Sequence, residues 1–231
     1  MSRIFKNCAE AMNEIKRDLH EMDILVKPKS MQNKHVEGDP RYETLELQNY
    51  TFTILDTSDK DNMPKATVVW CLAEFKERVS GDLDNPGYAW EQRKEVWTEF
   101  LNQDGCFDYT YDERISGYEQ LSAVIEELKR NPDSRQCIIH IHYPSDIYEI
   151  GGKSRIPCTM YYQFMVRRGA LDVIYNMRSS DYNTHFQNDV WLADELRRFI
   201  AQKIQYPVGL FMMNVGSLHI YRGYNNDEHV F

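Results

Sequence analysis

Apolar residues recur every three or four positions in several stretches of the chain, a spacing typical of amphipathic helices. The first stretch predicts a helix over residues 3–20. Its apolar positions are Ile4, Phe5, Cys8, Met12, Ile15 and Leu19. A second helix is expected to open at Pro64, because proline is favoured in a first helical turn, and to stop at Gly81. Its apolar positions are Val68, Leu72, Phe75 and Val79. Two further helices are predicted over residues 117–132 and 190–204.

Runs of β-branched and aromatic residues, several of them alternating with polar ones, predict strands between these helices. The predicted strands cover residues 45–55, 136–143, 160–168, 171–177 and 209–221. Arg168-Gly169-Ala170 is expected to form a tight hairpin between two of them. Residues 83–116 read as loops with a short helix near residues 91–101. Strands followed by a long helix and another strand predict an α+β fold, with helices against one face of a sheet.

The composition supports one packed domain. Of the 231 residues, 42% are hydrophobic and 13% aromatic, and no Pro-, Ser- or Gly-rich linker divides them, so we expect a single domain over residues 1–231. No stretch is apolar enough for a membrane span, and the charged N-terminus is unlike a secretory signal, which favours a cytoplasmic location. The net charge of −9 argues against a nucleic-acid-binding surface but does not exclude a small anionic ligand.

The cysteine pattern indicates free thiols. The five cysteines are odd in number, form no CxxC motif and have no zinc-site spacing, so neither disulfides nor a metal site is predicted. Cys158 stands apart, because it follows Pro157 in a loop before a predicted strand. A lone loop cysteine is by itself more often structural than catalytic.

Four short polar segments lie at the ends of predicted elements: residues 131–135, 156–159, 178–189 and 216–221. The side chains of Arg135, Arg178 and Ser179 are suited to a dianionic phosphate, since guanidinium groups match phosphate oxygens. Each arginine taken alone is more often simply solvated. Asp189 is compatible with a helix N-cap, and His219 with a core histidine.

Taken in order, these segments resemble the thymidylate synthase superfamily, and within it the deoxycytidylate hydroxymethylases of bacteriophages. The resemblance spans roughly residues 60–222. The matching motifs are NPDSR, PCT followed by YYQF, NMRSSD, QND before a helix, and NVGSLHIY. The key residues follow at intervals of 20 (Cys158 to Arg178), 11 (Arg178 to Asp189) and 30 (Asp189 to His219). The resemblance implies a mixed sheet covered by helices on one face and a homodimer packed sheet to sheet.

By this resemblance, Cys158 is the thiolate that adds to C6 of a pyrimidine, and nearby guanidinium groups would favour its charged form. The activated ring then attacks the one-carbon unit of 5,10-methylenetetrahydrofolate. Arg178, Ser179 and Arg135 would hold the 5′-phosphate, with Arg135 reaching across the dimer. The resemblance assigns the sugar hydroxyl to His219 and Tyr221, and gives Lys29 a further phosphate contact.

Two positions imply dCMP rather than dUMP as the substrate. The superfamily members that act on dUMP have Asn where this chain has Asp189, and His where it has Thr159. Cytosine offers an amino donor at C4 and an acceptor at N3, so a carboxyl group fits it, especially when protonated. Asn188 would take this place if the register shifted by one residue.

Other roles follow from the same resemblance. Glu74 lies seven residues before Gly81-Asp82, as the proton-relay glutamate does, although a competing register puts Cys71 there. The folate site would contain Trp97 and Asp181. The active-site tyrosine would be Tyr109 or Tyr111.

The chain also departs from the family pattern. Gln136 replaces a second arginine, His185 stands where small residues are common, and the sequence runs only 10 residues beyond Tyr221. We therefore expect weaker phosphate binding and altered closure over folate. The expected product is 5-hydroxymethyl-dCMP, a precursor of modified phage DNA. Methylation of dCMP or dUMP, and an inactive dimeric scaffold, remain as alternatives. The outer sheet face expected at the dimer would carry Tyr161, Gln163 and Met165, or their neighbours of opposite parity.

Overall fold

A computed structural model of the chain describes residues 3–21, 24–32, 34–151 and 154–223. Within these ranges the α-helices are α1 (Cys8–Glu21), α2 (Val68–Arg78), α3 (Lys94–Trp97), α4 (Tyr111–Ser116), α5 (Gln120–Arg130) and α6 (Gln187–Ile204). The strands are β1 (Arg3–Phe5), β2 (Ile24–Val26), β3 (Ser30–Met31), β4 (Lys34–His35), β5 (Thr44–Ile54), β6 (Ile138–His140), β7 (Thr159–Arg167), β8 (Ala170–Asp181) and β9 (Val208–Tyr221).

One mixed sheet forms the centre of the described chain, in the order β1-β5-β9-β8-β7-β6, with β2 also paired to β5. The β1–β5 and β8–β9 pairs are parallel and the others antiparallel. The separate ribbon β3–β4 follows β2. Because β8 and β9 are parallel neighbours, their carboxyl ends meet at one edge of the sheet.

The hydrophobic core lies between the sheet and the helices. Helix α1 packs on β5, α5 on β7, and α6 across β8 and β9, while α2 packs against α6. On β7 the core-facing residues are Tyr162, Phe164 and Val166. Each fully buried apolar side chain of this kind contributes about 1.5–3 kcal/mol, so these residues stabilise the packing of β7 against the helices.

The opposite face of β7 carries Tyr161, Gln163 and Met165, which are half-buried in the chain alone. Of the two parities that the sequence left open, these three residues are therefore the ones on the outer face of β7. The neighbouring strands present Ile174 and Met212 with the same partial exposure. The sheet thus has one fully covered face and one partly apolar face at the surface.

The hairpin between β7 and β8 has the predicted position. Arg168 and Gly169 both adopt positive φ angles (54° and 74°), as the two central residues of a type I′ turn require. Arg168 also forms an ion pair with Asp172 across the turn (2.8 Å).

The first predicted helix is wrong at its start, since residues 3–5 pair with β5 as β1. The helix begins at Cys8 because Asp59 accepts hydrogen bonds from the amides of Cys8 and Ala9 (2.9 Å each). Asn7 also accepts one from the Glu10 amide (2.9 Å). The start of α1 is therefore capped by a local residue, Asn7, and by a partner about fifty residues away, and periodicity reveals neither.

The second helix also begins later than predicted, at Val68 instead of Pro64. Side chains of α6 hold the preceding segment: Gln187 accepts from the Lys65 amide and Asn188 from the Thr67 amide (2.8 and 2.7 Å). Leu72, predicted on the buried face, is 47% exposed.

Two other predictions require correction. The strand predicted over residues 136–143 is limited to β6, and helix α4 lies within residues 83–116, where a helix was expected only near residues 91–101. None of the described helices has the length and apolar character needed to cross a bilayer.

Candidate active site

A cavity of about 620 Å³ lies at the sheet edge where β8 and β9 end and β7 begins. The strand register sets Ser179 beside Ser217 and Asp181 beside His219. Many of the residues predicted for the site line this cavity: Glu74, Trp97, Tyr111, Cys158, Arg178, Ser179, Asp181, Asp189, His219 and Tyr221. Residues far apart in sequence thus converge because two parallel strands deliver their polar ends to the same place.

Cys158 sits half-buried in the turn before β7 and is fixed there by Arg178. The Arg178 amide donates to the Cys158 carbonyl (2.8 Å), and its guanidinium donates to the two preceding carbonyl groups (3.0 and 2.9 Å). Ser179 Oγ and Gln32 Nε2 lie 3.6 and 3.9 Å from Cys158 Sγ. The sulfur therefore faces the cavity between a hydroxyl and an amide, both able to donate to a thiolate.

Gly216 allows β9 to lie close to the backbone of β8 at Arg178. A Cβ atom at Gly216 would lie 2.8 Å from the carbonyl oxygen of Arg178. Any side chain there would push apart the two strands that position the turn around Cys158.

Asp189 lies in the first turn of α6, 3% exposed, and faces the same cavity. Its Oδ2 accepts a hydrogen bond from Ser180 Oγ on β8 (2.8 Å), so its side chain does not act as a helix N-cap. Burial raises the pKa of Asp189 from 3.8 to about 7, against the opposing effects of the Ser180 hydrogen bond and of Arg78 and Arg93. Near neutral pH, both protonation states of this carboxyl are populated.

The neighbouring Asn188 is directed away from the cavity. Its Oδ1 accepts from the Thr67 amide (2.7 Å) and from the thiol of Cys71 (3.2 Å), and its Nδ2 faces the Thr184 carbonyl (3.5 Å). Asn188 therefore joins α6 to the start of α2. The one-residue shift that the sequence left open would place a structural amide in the role of Asp189.

Thr159 forms a buried hydrogen-bonded link between two tyrosines. Its Oγ1 lies 2.9 Å from the hydroxyl of Tyr111 and 2.8 Å from that of Tyr175. Burial raises the pKa of both tyrosines well above the ordinary value, so they are neutral and can donate. Tyr109 also lines the cavity, with its ring centre 6.1 Å from that of Tyr111 and 5.5 Å from the guanidinium of Arg155.

Glu74 lines the cavity, whereas Cys71 is fully buried and lies outside it. Glu74 Oε1 accepts from Arg78 Nε (2.8 Å), and the Arg78 guanidinium stacks 3.7 Å from the centre of the Tyr111 ring. Burial raises the pKa of the Cys71 thiol to about 12. The geometry favours the register with Glu74 in the site.

The far side of the cavity is aromatic. Trp97 stacks on Trp70 with ring centres 5.9 Å apart, and the guanidinium of Arg155 lies 4.4 Å from the Phe100 ring centre. Among the described residues, Trp97 Nε1 and Asp181 Oδ2 are buried without a hydrogen-bond partner. Burial raises the pKa of Asp181, opposed by His219.

Two predicted residues do not line the cavity. Lys29 forms an exposed ion pair with Glu37 (2.9 Å). Arg135 is exposed between α5 and β6, and its carbonyl accepts from the Gln163 amide (3.0 Å) on the outer sheet face.

Comparison with known proteins gives the family. The model of the family described as Thymidylate synthase matches residues 62–230, well over half of the chain. The chain belongs to the thymidylate synthase family. Deoxycytidylate 5-hydroxymethyltransferase of Enterobacteria phage T4 is 30% identical over 162 residues, covering 65% of this chain and 64% of that protein. Thymidylate synthase of Bacillus subtilis subsp. natto is 27% identical over 183 residues, covering 72% and 62%. The chain therefore spans somewhat less than two thirds of these relatives.

Comparison with solved structures shows that the chain has the thymidylate synthase fold. Thermostable thymidylate synthase A from Bacillus subtilis superposes with a TM-score of 0.73 at 20% identity, over 94% of this chain and 80% of that one. This confirms the predicted α+β architecture with a mixed sheet. Among the described residues there is no cluster of His, Cys, Asp and Glu that could hold a metal ion.

Thymidylate synthase family members transfer one-carbon units with methylenetetrahydrofolate as co-substrate. The aromatic side of this cavity fits such a group. The partnerless Oδ2 of Asp181 can accept from an N–H of a pterin, and the indoles of Trp97 and Trp90 offer apolar surface to its rings.

Several cavity residues were missed from the sequence. Arg78, Glu77, Gln32 and Arg155 all line the cavity. Glu77 Oε1 accepts from the amides of Tyr88 and Ala89 (2.7 and 2.8 Å), and burial raises its pKa. Helical spacing from Glu74 was a usable signal for Glu77 and Arg78. Gln32 and Arg155 lie in loops, and nothing in their local sequence marks them.

Proposed function

We propose that this protein is a dCMP 5-hydroxymethylase that uses methylenetetrahydrofolate. One observation carries the proposal: a buried carboxyl, Asp189, faces the same cavity as the Cys158 thiol, while the adjacent Asn188 is directed away. An acidic side chain half-protonated near pH 7 complements cytosine, which offers both a donor and an acceptor on its base-pairing edge. The likeness to a phage deoxycytidylate 5-hydroxymethyltransferase supports this choice.

The base would be read by the Asp189 carboxyl. In its protonated form one oxygen accepts from the C4 amino group of cytosine and the other donates to N3. The hydrogen bond from Ser180 limits rotation of the carboxyl, so recognition needs little reorganisation. Uracil presents O4 and N3–H in the same places, which suits an amide better.

Nucleophilic addition would begin at Cys158. Its thiolate bonds to C6 of the pyrimidine, and the electron pair moves to C5, which becomes nucleophilic. Ser179 and Gln32, close to the sulfur, stabilise the charged form by donation. Arg178 keeps the turn in place and offers its charge to the 5′-phosphate, together with Arg135 of a second copy.

The dimer is part of the proposal. The half-buried outer sheet face with Tyr161, Gln163 and Met165 would pack against its counterpart, and Arg135 lies at the border of that face. His219 and Tyr221, at the end of β9, would contact the sugar hydroxyl.

Bound methylenetetrahydrofolate supplies a one-carbon unit at the oxidation level of formaldehyde. Asp181 and Trp97, which both line the cavity, would hold it. The ion pair between Glu74 and Arg78 lines the same cavity as Asp189, where Glu74 can orient water and transfer protons. In the product a C5–CH2OH group replaces the C5 hydrogen. Its oxygen comes from water, and the thiol of Cys158 is restored.

Product analysis tests the proposal against methylation and against an inactive scaffold. The protein is incubated with methylenetetrahydrofolate and equal amounts of dCMP and dUMP, and the nucleosides are weighed by mass spectrometry. We expect dCMP to gain CH2O, with tetrahydrofolate released. A gain of CH2 with dihydrofolate, preferential turnover of dUMP, or no turnover at all would each contradict the proposal.

The pH dependence follows from Asp189. If the protonated carboxyl reads cytosine, kcat/KM for dCMP falls as the pH rises through about 7, the pKa of Asp189.

The same raised pKa of Asp189 also affects stability, because it makes the folded state bind more protons than the unfolded one between pH 3.8 and about 7. The free energy of unfolding therefore decreases over that window as pH rises. Steady-state rates and urea unfolding across pH, with Asp189→Asn as control, check both effects.

Asp181→Asn is expected to raise KM for methylenetetrahydrofolate by about 10- to 100-fold, because an NH2 group replaces the acceptor that a pterin N–H requires. KM for dCMP should change little, and thermal unfolding shows whether the variant is intact. An equal rise in the KM values for methylenetetrahydrofolate and dCMP would contradict a role for Asp181 in folate binding.

A further inference from the structure

His185 occupies an unusual position in the cavity. It lies in a π-helical turn, Tyr182–Phe186, directly before α6. Its ring lies against both members of the stacked indole pair, with ring centres 5.3 Å from Trp70 and 5.2 Å from Trp97. Contact with both indoles limits the orientations open to the imidazole.

Arg93 fixes which ring nitrogen carries the proton. Its Nη1 lies 3.3 Å from His185 Nδ1, and its Nη2 donates to the Thr184 carbonyl (3.1 Å). A guanidinium group can only donate, so Nδ1 must accept. Burial, with the charges of Arg93, Arg78 and Arg155, lowers the pKa of His185 well below its ordinary value. The ring is therefore neutral and carries its hydrogen on Nε2.

That Nε2–H is directed toward the base-reading carboxyl. His185 Nε2 lies 4.0 Å from Asp189 Oδ1, while Ser180 already donates to Oδ2 (2.8 Å). The distance is longer than a hydrogen bond, so donation to Oδ1 requires the two side chains to approach each other. In that arrangement each oxygen of Asp189 would have its own donor.

We propose that His185 is a positioning residue, held by Arg93 and two indoles, whose Nε2–H orients the Asp189 carboxyl for a cytosine base. The proposal rests on the proposed function for the identity of the base, but not for the contact itself. It also gives a reason for a large polar residue at a position where small ones are common in the family.

Charged groups near Asp189 and His185 act on the pKa values of both side chains. Arg78, Arg93 and Asp181 act on Asp189, and Arg93, Arg78 and Arg155 act on His185. A donor aimed at Oδ1 favours the ionised carboxylate, so loss of that donor raises the pKa of Asp189 further.

Two conservative variants separate this role from simple packing. In His185→Gln, the terminal amide reaches the place of Nε2 and can still donate to Asp189. In His185→Asn, the shorter side chain still meets Arg93 but cannot reach Oδ1. Both variants lose the imidazole, so a difference between them reports the donor.

The test is a carbon-13 NMR titration of the Asp189 carboxyl in the substrate-free protein, assigned by its loss in Asp189→Asn. We expect a rise of about one pKa unit in His185→Asn and a value close to wild type in His185→Gln. Nitrogen-15 spectra should show the Nε2–H form of His185 from about pH 5 to 8, a range of about three units around the ordinary histidine value. An equal effect in both variants, or an Nδ1–H form, would overturn the proposal.

Kinetics then connect the contact to function. In His185→Asn, the pH at which kcat/KM for dCMP is half-maximal should rise together with the Asp189 pKa measured by NMR. His185→Gln should keep the wild-type pH profile. Absence of dCMP turnover in the wild-type protein would contradict the proposed function and leave the NMR result standing. An unchanged pH profile in His185→Asn would show that the contact between His185 and Asp189 does not affect recognition of the base.

Discussion

Cys158→Ser is expected to reduce product formation by on the order of 10⁴-fold or more, because a serine hydroxyl is not ionised near neutral pH and adds to a pyrimidine far less readily. The variant should still bind dCMP, since the residues that hold the phosphate and the base are untouched. Initial rates of C5 substitution measure the first effect, and equilibrium dialysis with labelled dCMP the second.

Cys106→Ser is the matched control, since Cys106 is also a partly exposed free cysteine and does not line the cavity. It should retain wild-type rates. Retention of substantial activity by Cys158→Ser would mean that another group performs the addition.

Asp189→Asn is expected to invert the choice of base, lowering the ratio of kcat/KM for dCMP over dUMP by on the order of 10³-fold, within the range that buried polar readout provides. If the amide keeps the Ser180 hydrogen bond through its oxygen, its NH2 group takes the place of Oδ1. That group donates to O4 of uracil but opposes the amino group of cytosine.

Asn188→Asp is the companion variant. It places a carboxyl one position away, among the Thr67 amide, the Cys71 thiol and the Thr184 carbonyl. We expect it to lower the unfolding temperature without moving the ratio of dCMP to dUMP turnover. A specificity change from Asn188→Asp, or none from Asp189→Asn, would show that the base is read elsewhere.

The long elements of this fold follow from local sequence. The alternation in residues 160–168 and 209–221 matches β7 and β9 within one residue at each end, since a strand with one buried face has a period of two. The boundaries that failed depend on distant partners. Asp59 sets the start of α1, and the side chains of α6 delay the start of α2. No local pattern encodes such contacts.

The residues of the candidate site also fall into two groups, those that the sequence indicates and those that only the fold brings to the cavity. Cys158, Arg178, Asp189 and His219 were singled out through the resemblance of their motifs to the thymidylate synthase superfamily, and the fold brings them to one cavity. Gln32 and Arg155 have no motif around them, because a loop residue reaches a site through the path of the chain. His185 was visible as a departure from the family, but its role depends on Trp70 and Arg93, which only the structure places beside it.

A crystal structure of the protein with dCMP bound tests the central claim most directly. The account predicts C6 of the pyrimidine next to the sulfur of Cys158, and the C4 amino group within hydrogen-bond distance of an Asp189 oxygen. A nucleotide bound in this cavity with its base turned away from Asp189, or with C6 out of reach of Cys158, would contradict it.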